Sequence, residues 1–156
     1  MAGKIEAHLA ELGIEIPVAA APAANYVPYV ISGNQVFVSG QVPFVNGAVT
    51  FQGKVGTDFT TEEGMDCARI CALNIIAQVK AACGGDLDRV VRCVKLGGFV
   101  NCTDGFGEQP KVINGASNLM VEVFGDKGRH ARFAVGTNAL PMNVAVEIDA
   151  VFEISV

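Results

Sequence analysis

The stretch from Val144 to Ile154 constrains the fold more than any other part of the chain. Val144, Val146, Ile148, Ala150, Phe152 and Ile154 alternate with a second set that carries Glu147, Asp149 and Glu153. Successive side chains of an extended strand point to opposite faces, so one face of this segment must be buried. Such a strand needs a sheet covered on one side, and two helical segments can supply the cover. Thr60 and Glu63 have the spacing of a capping box. Ala68, Cys71, Ala72, Ile75, Val79 and Ala82 follow as a narrow apolar stripe, and Gly84-Gly85 ends the helix. A second helix is expected from about Gln109 to Phe124, with Val112, Ala116, Leu119 and Val123 on one face.

The other elements fit round these. Tyr29 to Ile31 and Val36 to Gly40 read as two strands about a Gly33-Asn34 turn, and Asn46-Gly47 marks another turn. Val90 to Val100 and Ala131 to Val135 read as two more strands. Ser39 before Gly40 has the look of a bulge. Near the start, Ile5, Leu9 and Leu12 share a stripe over Lys4 to Leu12, and Gly13 stands where a left-handed residue closes a helix. Residues 14–25, with Pro17 and Pro22, read as an extended connection. The order predicts one α+β domain over 1–156: a mixed sheet with two main helices on one face, plus a short N-terminal helix. Residues 1–21 form a helix-and-linker extension. The chain has no third layer for the other face of the sheet, so self-association is expected to cover it.

Composition narrows the function classes. Of 156 residues, 51% are hydrophobic and 17% charged, which is ample for a core and thin for the surface of a small domain. The net charge of −5 argues against nucleic acid, whose affinity rests on clustered basic residues. Five Cys, no CxxC pair and only two His give no metal-ligand spacing. The thiols read as buried, reduced side chains of a cytoplasmic protein without metal or cofactor. Apolar runs are too short to span a membrane.

Arg132 and Glu147 are the pair that suggests chemistry. If residues 136–143 turn about their midpoint, 132 and 147 fall directly opposite each other across an antiparallel pair. The plain reading is a cross-strand ion pair. The chemical reading is an Arg fork that holds a substrate carboxylate, with a carboxyl group beside it to place a water or relay a proton. His130 reads as a surface residue, and Asp149 as a solvated or interface charge.

The run from Ala131 to Ala150 resembles the C-terminal signature of the reactive intermediate deaminase (RidA/YjgF) superfamily, also labelled endoribonuclease L-PSP. The shared features are Arg132 after Ala131, Leu140-Pro141, and Glu147-Ile148-Asp149, with the Glu fifteen positions past the Arg. Pro28-Tyr29-Val30 and Val38-Ser39-Gly40-Gln41-Val42-Pro43 are similar to the family's N-terminal strands. The longer N-terminus resembles a bacterial subgroup. The resemblance implies a chorismate-mutase-like fold and a homotrimer with ligand clefts between subunits. It implies hydrolysis of 2-enamine and 2-imine acids, such as 2-aminoacrylate and 2-iminobutanoate, to 2-keto acids and ammonia. In that reading Arg132 clamps the carboxylate and Glu147 positions the water. Tyr29 lines the pocket, Ser39 and Gly40 shape its floor, Asn114 is a polar pocket residue, and Ala134 stands where many members have Cys. A non-catalytic trimer that binds a keto acid is the alternative, and endoribonuclease activity comes third.

Overall fold

The computed structural model describes residues 3–22 and 24–156. Helix α1 (Lys4–Leu12) begins after Gly3, which has no side chain to cap it. Asp88 does so from afar, accepting hydrogen bonds from the Lys4 and Ile5 amides at 2.8 Å each. Those bonds, Ile5's first, hold the Asp88 carboxyl below its ordinary range. Gly13 closes the helix at φ 69°, and Ile14 and Ile16 of the linker pack on the core. The extension is thus stitched to the body of the domain.

Helix α2 (Thr61–Ala82) carries the capping box: the Thr60 side chain accepts from the Glu63 amide, and the Glu63 carboxylate accepts from the Thr60 amide, both at 3.1 Å. Helix α3 (Gln109–Phe124) lies against α2. A Cβ on Gly115 would collide with the Met65 carbonyl, so glycine permits this close approach. Both helices cover one face of a five-stranded sheet of order β1-β2-β7-β5-β6. Its strands are β1 (Tyr29–Ser32), β2 (Gln35–Gln41), β5 (Val90–Asn101), β6 (Ala131–Thr137) and β7 (Val146–Ile154). A small hairpin, β3 (Phe44–Val45) and β4 (Ala48–Val49), turns at Asn46-Gly47. The core joins Val146, Ile148, Ala150, Phe152 and Ile154 of β7 to Cys67, Cys71, Ile75 and Val79 of α2. All five Cys are buried and unpaired by disulfide. No helix among the described residues is long and apolar enough to cross a membrane.

The expected hairpin between the last two strands does not form. β6 is an edge strand parallel to β5, with Leu96 opposite Arg132, and β5 separates it from β7. The reason is topological: β5-α3-β6 is a strand–helix–strand unit, and such a crossover places its strands in parallel. The connection to β7 must then pass over the end of β5. It does so through a 3-10 turn at Pro141–Asn143, where Met142 and Asn143 take φ of 58° and 57°. The Ala145 amide donates to Phe51 O (2.9 Å) rather than to a strand partner in β6. Buried Asn101 fixes the loop, donating to Asn143 Oδ1 (3.2 Å) and Val144 O (3.1 Å) while accepting from Lys54 Nζ at 2.8 Å.

The sheet's second face is open. The register places Val30, Phe37 and Val151 in one row and Phe99 with Glu147 and Val135 in another. Phe37, Phe99 and Val135 are each 40% exposed or more.

Candidate functional site

Two cavities hold the residues singled out by the sequence, and they lie on different sides of the sheet. Leu96 and Ala150, in the same row as Arg132, are buried under the helices, so Arg132 points to the helix side of edge strand β6. Glu147 is three residues from Ala150 and faces the open side. Arg132 and Glu147 are therefore not opposed: β5 lies between their strands, and they point away from each other. The expected pairing rested on a hairpin register that the parallel β5–β6 unit replaces.

The first cavity, of about 300 Å³, lies between α3 and β6 and is lined by Asn114, Ser117, Asn118, Arg129, His130 and Arg132, with Val121. Half-buried Arg132 donates from Nη1 to Ser117 Oγ and from Nη2 to Pro110 O, both at 3.1 Å. No carboxylate pairs with it among the described residues. Behind it runs a directed chain. His130 Nδ1 is 2.6 Å from Gly128 O; a carbonyl only accepts, so Nδ1 carries the proton. Nε2, 2.8 Å from Ser117 Oγ, is then free to accept the hydroxyl proton, and Ser117 keeps a lone pair for Arg132. Burial pushes the His130 pKa down, the Gly128 bond opposes this, and the Arg132 charge adds to the lowering. That lowering favours the neutral imidazole in which Nε2 accepts from Ser117. His130, expected at the surface, is half-buried in it.

The second cavity, of about 180 Å³, lies over the β2–β7 pair, with Ser39, Gly40 and Glu147 in its wall. The pairing of β2 with β7 slips between Val38 and Gln41, the bulge expected at Ser39-Gly40. A Cβ on Gly40 would collide with Glu147 Oε2, so only glycine leaves room for this carboxyl group. Ser39 Oγ donates to Val27 O at 2.8 Å and is a structural tie rather than a nucleophile. Burial raises the Glu147 pKa, and Asp149 on the same face raises it further. A carboxyl group held above its ordinary range is suited to proton transfer near neutrality.

Of the other expected residues, Asn114 lines the Arg132 cavity. Ala134 shares the Arg132 side of β6 and packs on the core, outside both cavities. Tyr29 also packs on the core; Tyr26, three residues earlier, lines the Glu147 cavity instead. Sequence reasoning missed Ser117, Tyr26 and Met142. Asn114, Ser117 and Asn118 do form a polar stripe at helical spacing beside the apolar one, and that signal could have placed Ser117.

The molecule is thus an α+β protein with a helix-covered mixed sheet and two cavities: a cationic one on the β6 edge and an acidic one over β2 and β7. Residues 6–153 match the family described as "YjgF/chorismate_mutase-like, putative endoribonuclease". The chain belongs to this YjgF/RidA superfamily and has its chorismate-mutase-like fold. It is 53% identical to Protein TCP17 of Trypanosoma cruzi, over 98% of this chain and 96% of that protein. The crystal structure of Atu1372 from Agrobacterium tumefaciens is 52% identical, with a TM-score of 0.90 over 97% of this chain and 92% of that one. A Shewanella oneidensis MR-1 structure carrying the endoribonuclease label is 38% identical, with a TM-score of 0.93 over 97% of this chain and all of the other.

Proposed function

We propose that the chain hydrolyses 2-enamine and 2-imine acids to 2-keto acids and ammonia at sites shared between copies in a homotrimer. Arg132 and Asn114 of one copy complete the cavity that holds Ser39, Gly40 and Glu147 of the next. Arg132 binds the substrate carboxylate through N–H groups that have no partner among the described residues. Glu147 takes a proton from a water that adds to the electrophilic C2 of the protonated imine. It returns the proton to the amino group, and the carbinolamine collapses to the keto acid and ammonia. Such a reaction asks mainly for position and one proton relay. The observation that carries the reading is a half-buried Arg132, without a carboxylate partner, facing a cavity whose chemistry is incomplete in one chain.

The test follows 2-iminobutanoate, generated in situ, as it decays with and without protein. Arg132→Ala should lower kcat/KM by at least roughly 30-fold, the loss expected on truncating one partner of a hydrogen-bonded charge pair. Acceleration untouched by Arg132→Ala would overturn the reading. Decay at the buffer rate, with keto-acid binding that Arg132→Ala abolishes, would point to a binding protein instead. The family's endoribonuclease label finds no support in a chain of net charge −5.

A further inference from the structure

The Glu147 cavity has one wall that the sheet does not provide. After α1 the linker runs back across the domain, and its path is fixed at both ends. Ile14 and Ile16 pack on the core. Ser39 Oγ holds Val27 O further on. Between them Gln78, near the C-terminal end of α2 and only 1% exposed, donates from Nε2 to Ala20 O at 2.8 Å. A buried amide in a helix otherwise facing the core is costly unless bonded, and the bond it makes is to the linker. So pinned, Ala20, Ala21 and Pro22 wall the Glu147 cavity, across from Phe44 and Met142. Ala20 and Ala21 also border a second cavity of about 500 Å³ that reaches Asn74. The linker here is a thin partition with space on both sides.

The lining of the Glu147 cavity contains no Lys, Arg or His. Its volume of about 180 Å³ compares with the roughly 150 Å³ of an apolar cavity that accepts benzene. We propose that Ala20–Pro22, held by Gln78, is the specificity wall of the site, and that the compartment behind it takes the uncharged, apolar side chain of a 2-imino acid, up to about the size of a leucine or phenyl group. The inference rests on the reading of Glu147 as part of the reaction centre. The carboxylate goes to Arg132 of the neighbouring copy, C2 lies at Glu147, and the side chain extends under the partition.

The experiment compares imines made in situ from leucine, alanine and glutamate by an amino-acid oxidase. In parallel it measures binding of the corresponding 2-oxo acids, so that a result is obtained with or without turnover. The wild-type protein should favour the leucine-derived imine over the glutamate-derived one by roughly tenfold or more in kcat/KM. Ala20→Leu and Ala21→Leu each add bulk at a residue that borders both the Glu147 cavity and its neighbour. At least one of the two should lower the leucine-to-alanine ratio by roughly tenfold. Gln78→Met, which keeps the helix packed, should shift the same ratio by releasing the partition. Equal handling of leucine- and glutamate-derived acids overturns the inference. So does a ratio unmoved by all three variants while Arg132→Ala still abolishes hydrolysis and binding, and in that case the functional reading survives. Wild-type protein that neither hydrolyses nor binds any of the acids overturns both.

Discussion

In the proposed reaction Glu147 would serve chemistry at the expense of folding. Burial and the neighbouring Asp149 raise its pKa above the ordinary 4.5. A raised carboxyl pKa means that the folded state favours the protonated form. Its contribution to stability is full below about pH 4.5 and is lost as the pH rises through the folded-state value. Glu147→Gln removes that loss. Measured in an Arg132→Ala background, where no guanidinium from another copy can reach the site, Glu147→Gln should raise Tm at pH 7 and give no gain at pH 4. Solvent at the half-exposed group keeps the effect below about 1 kcal/mol, or a few degrees in a domain of this size. In the otherwise wild-type protein the same substitution should cost roughly a hundredfold in kcat. A Tm that falls at pH 7 in the Arg132→Ala background would show that the carboxylate is stabilised by its surroundings and that its raised pKa is wrongly assigned.

At the scale of elements, the β6–β7 connection separates what was legible from what was not. The local signals were strong, and the helices α1, α2 and α3 stand where capping, stripe and stop residues placed them. The bulge at Ser39-Gly40 was also readable, because glycine beside a small polar residue in a strand marks a slipped register. The pairing of β6 was not, since alternation says which side chains share a face and nothing about which strand lies next door. Two clues pointed the right way: the helix between Val100 and Ala131, and a connection of eight residues containing Pro141, long for a hairpin. What holds that connection is Asn101, fully buried and bonded to Asn143, Val144 and Lys54. Asn101→Ala leaves those groups unpaired and should destabilise the domain by about 2–4 kcal/mol, a fall of several degrees in Tm. Because Met142 borders the Glu147 cavity, the substrate KM should rise as well. A variant with unchanged Tm would show that the loop holds its left-handed turn without the buried amide.

For the whole molecule, two observations converge. The sheet face away from the helices exposes Val30, Phe37, Phe99 and Val135, and covering each would gain on the order of 1 kcal/mol. Arg132 and Glu147 also lie in separate cavities and point to opposite sides of the sheet. The proposed ring of copies joined head to tail would cover that face and bring Arg132 of one chain to Glu147 of the next. The sequence held Arg132 and Glu147 but not their separation by β5, since fifteen positions read equally well as contact across a hairpin. Co-expressing Arg132→Ala and Glu147→Gln chains, and purifying the mixed assemblies, tests the proposed sharing directly. Each variant alone should retain no more than a few per cent of the wild-type rate on 2-iminobutanoate. Each mixed ring of three has one interface with both halves intact, so the purified mixed assemblies should return about a third of the wild-type activity. Mixed assemblies as inactive as their parents would contradict the shared site.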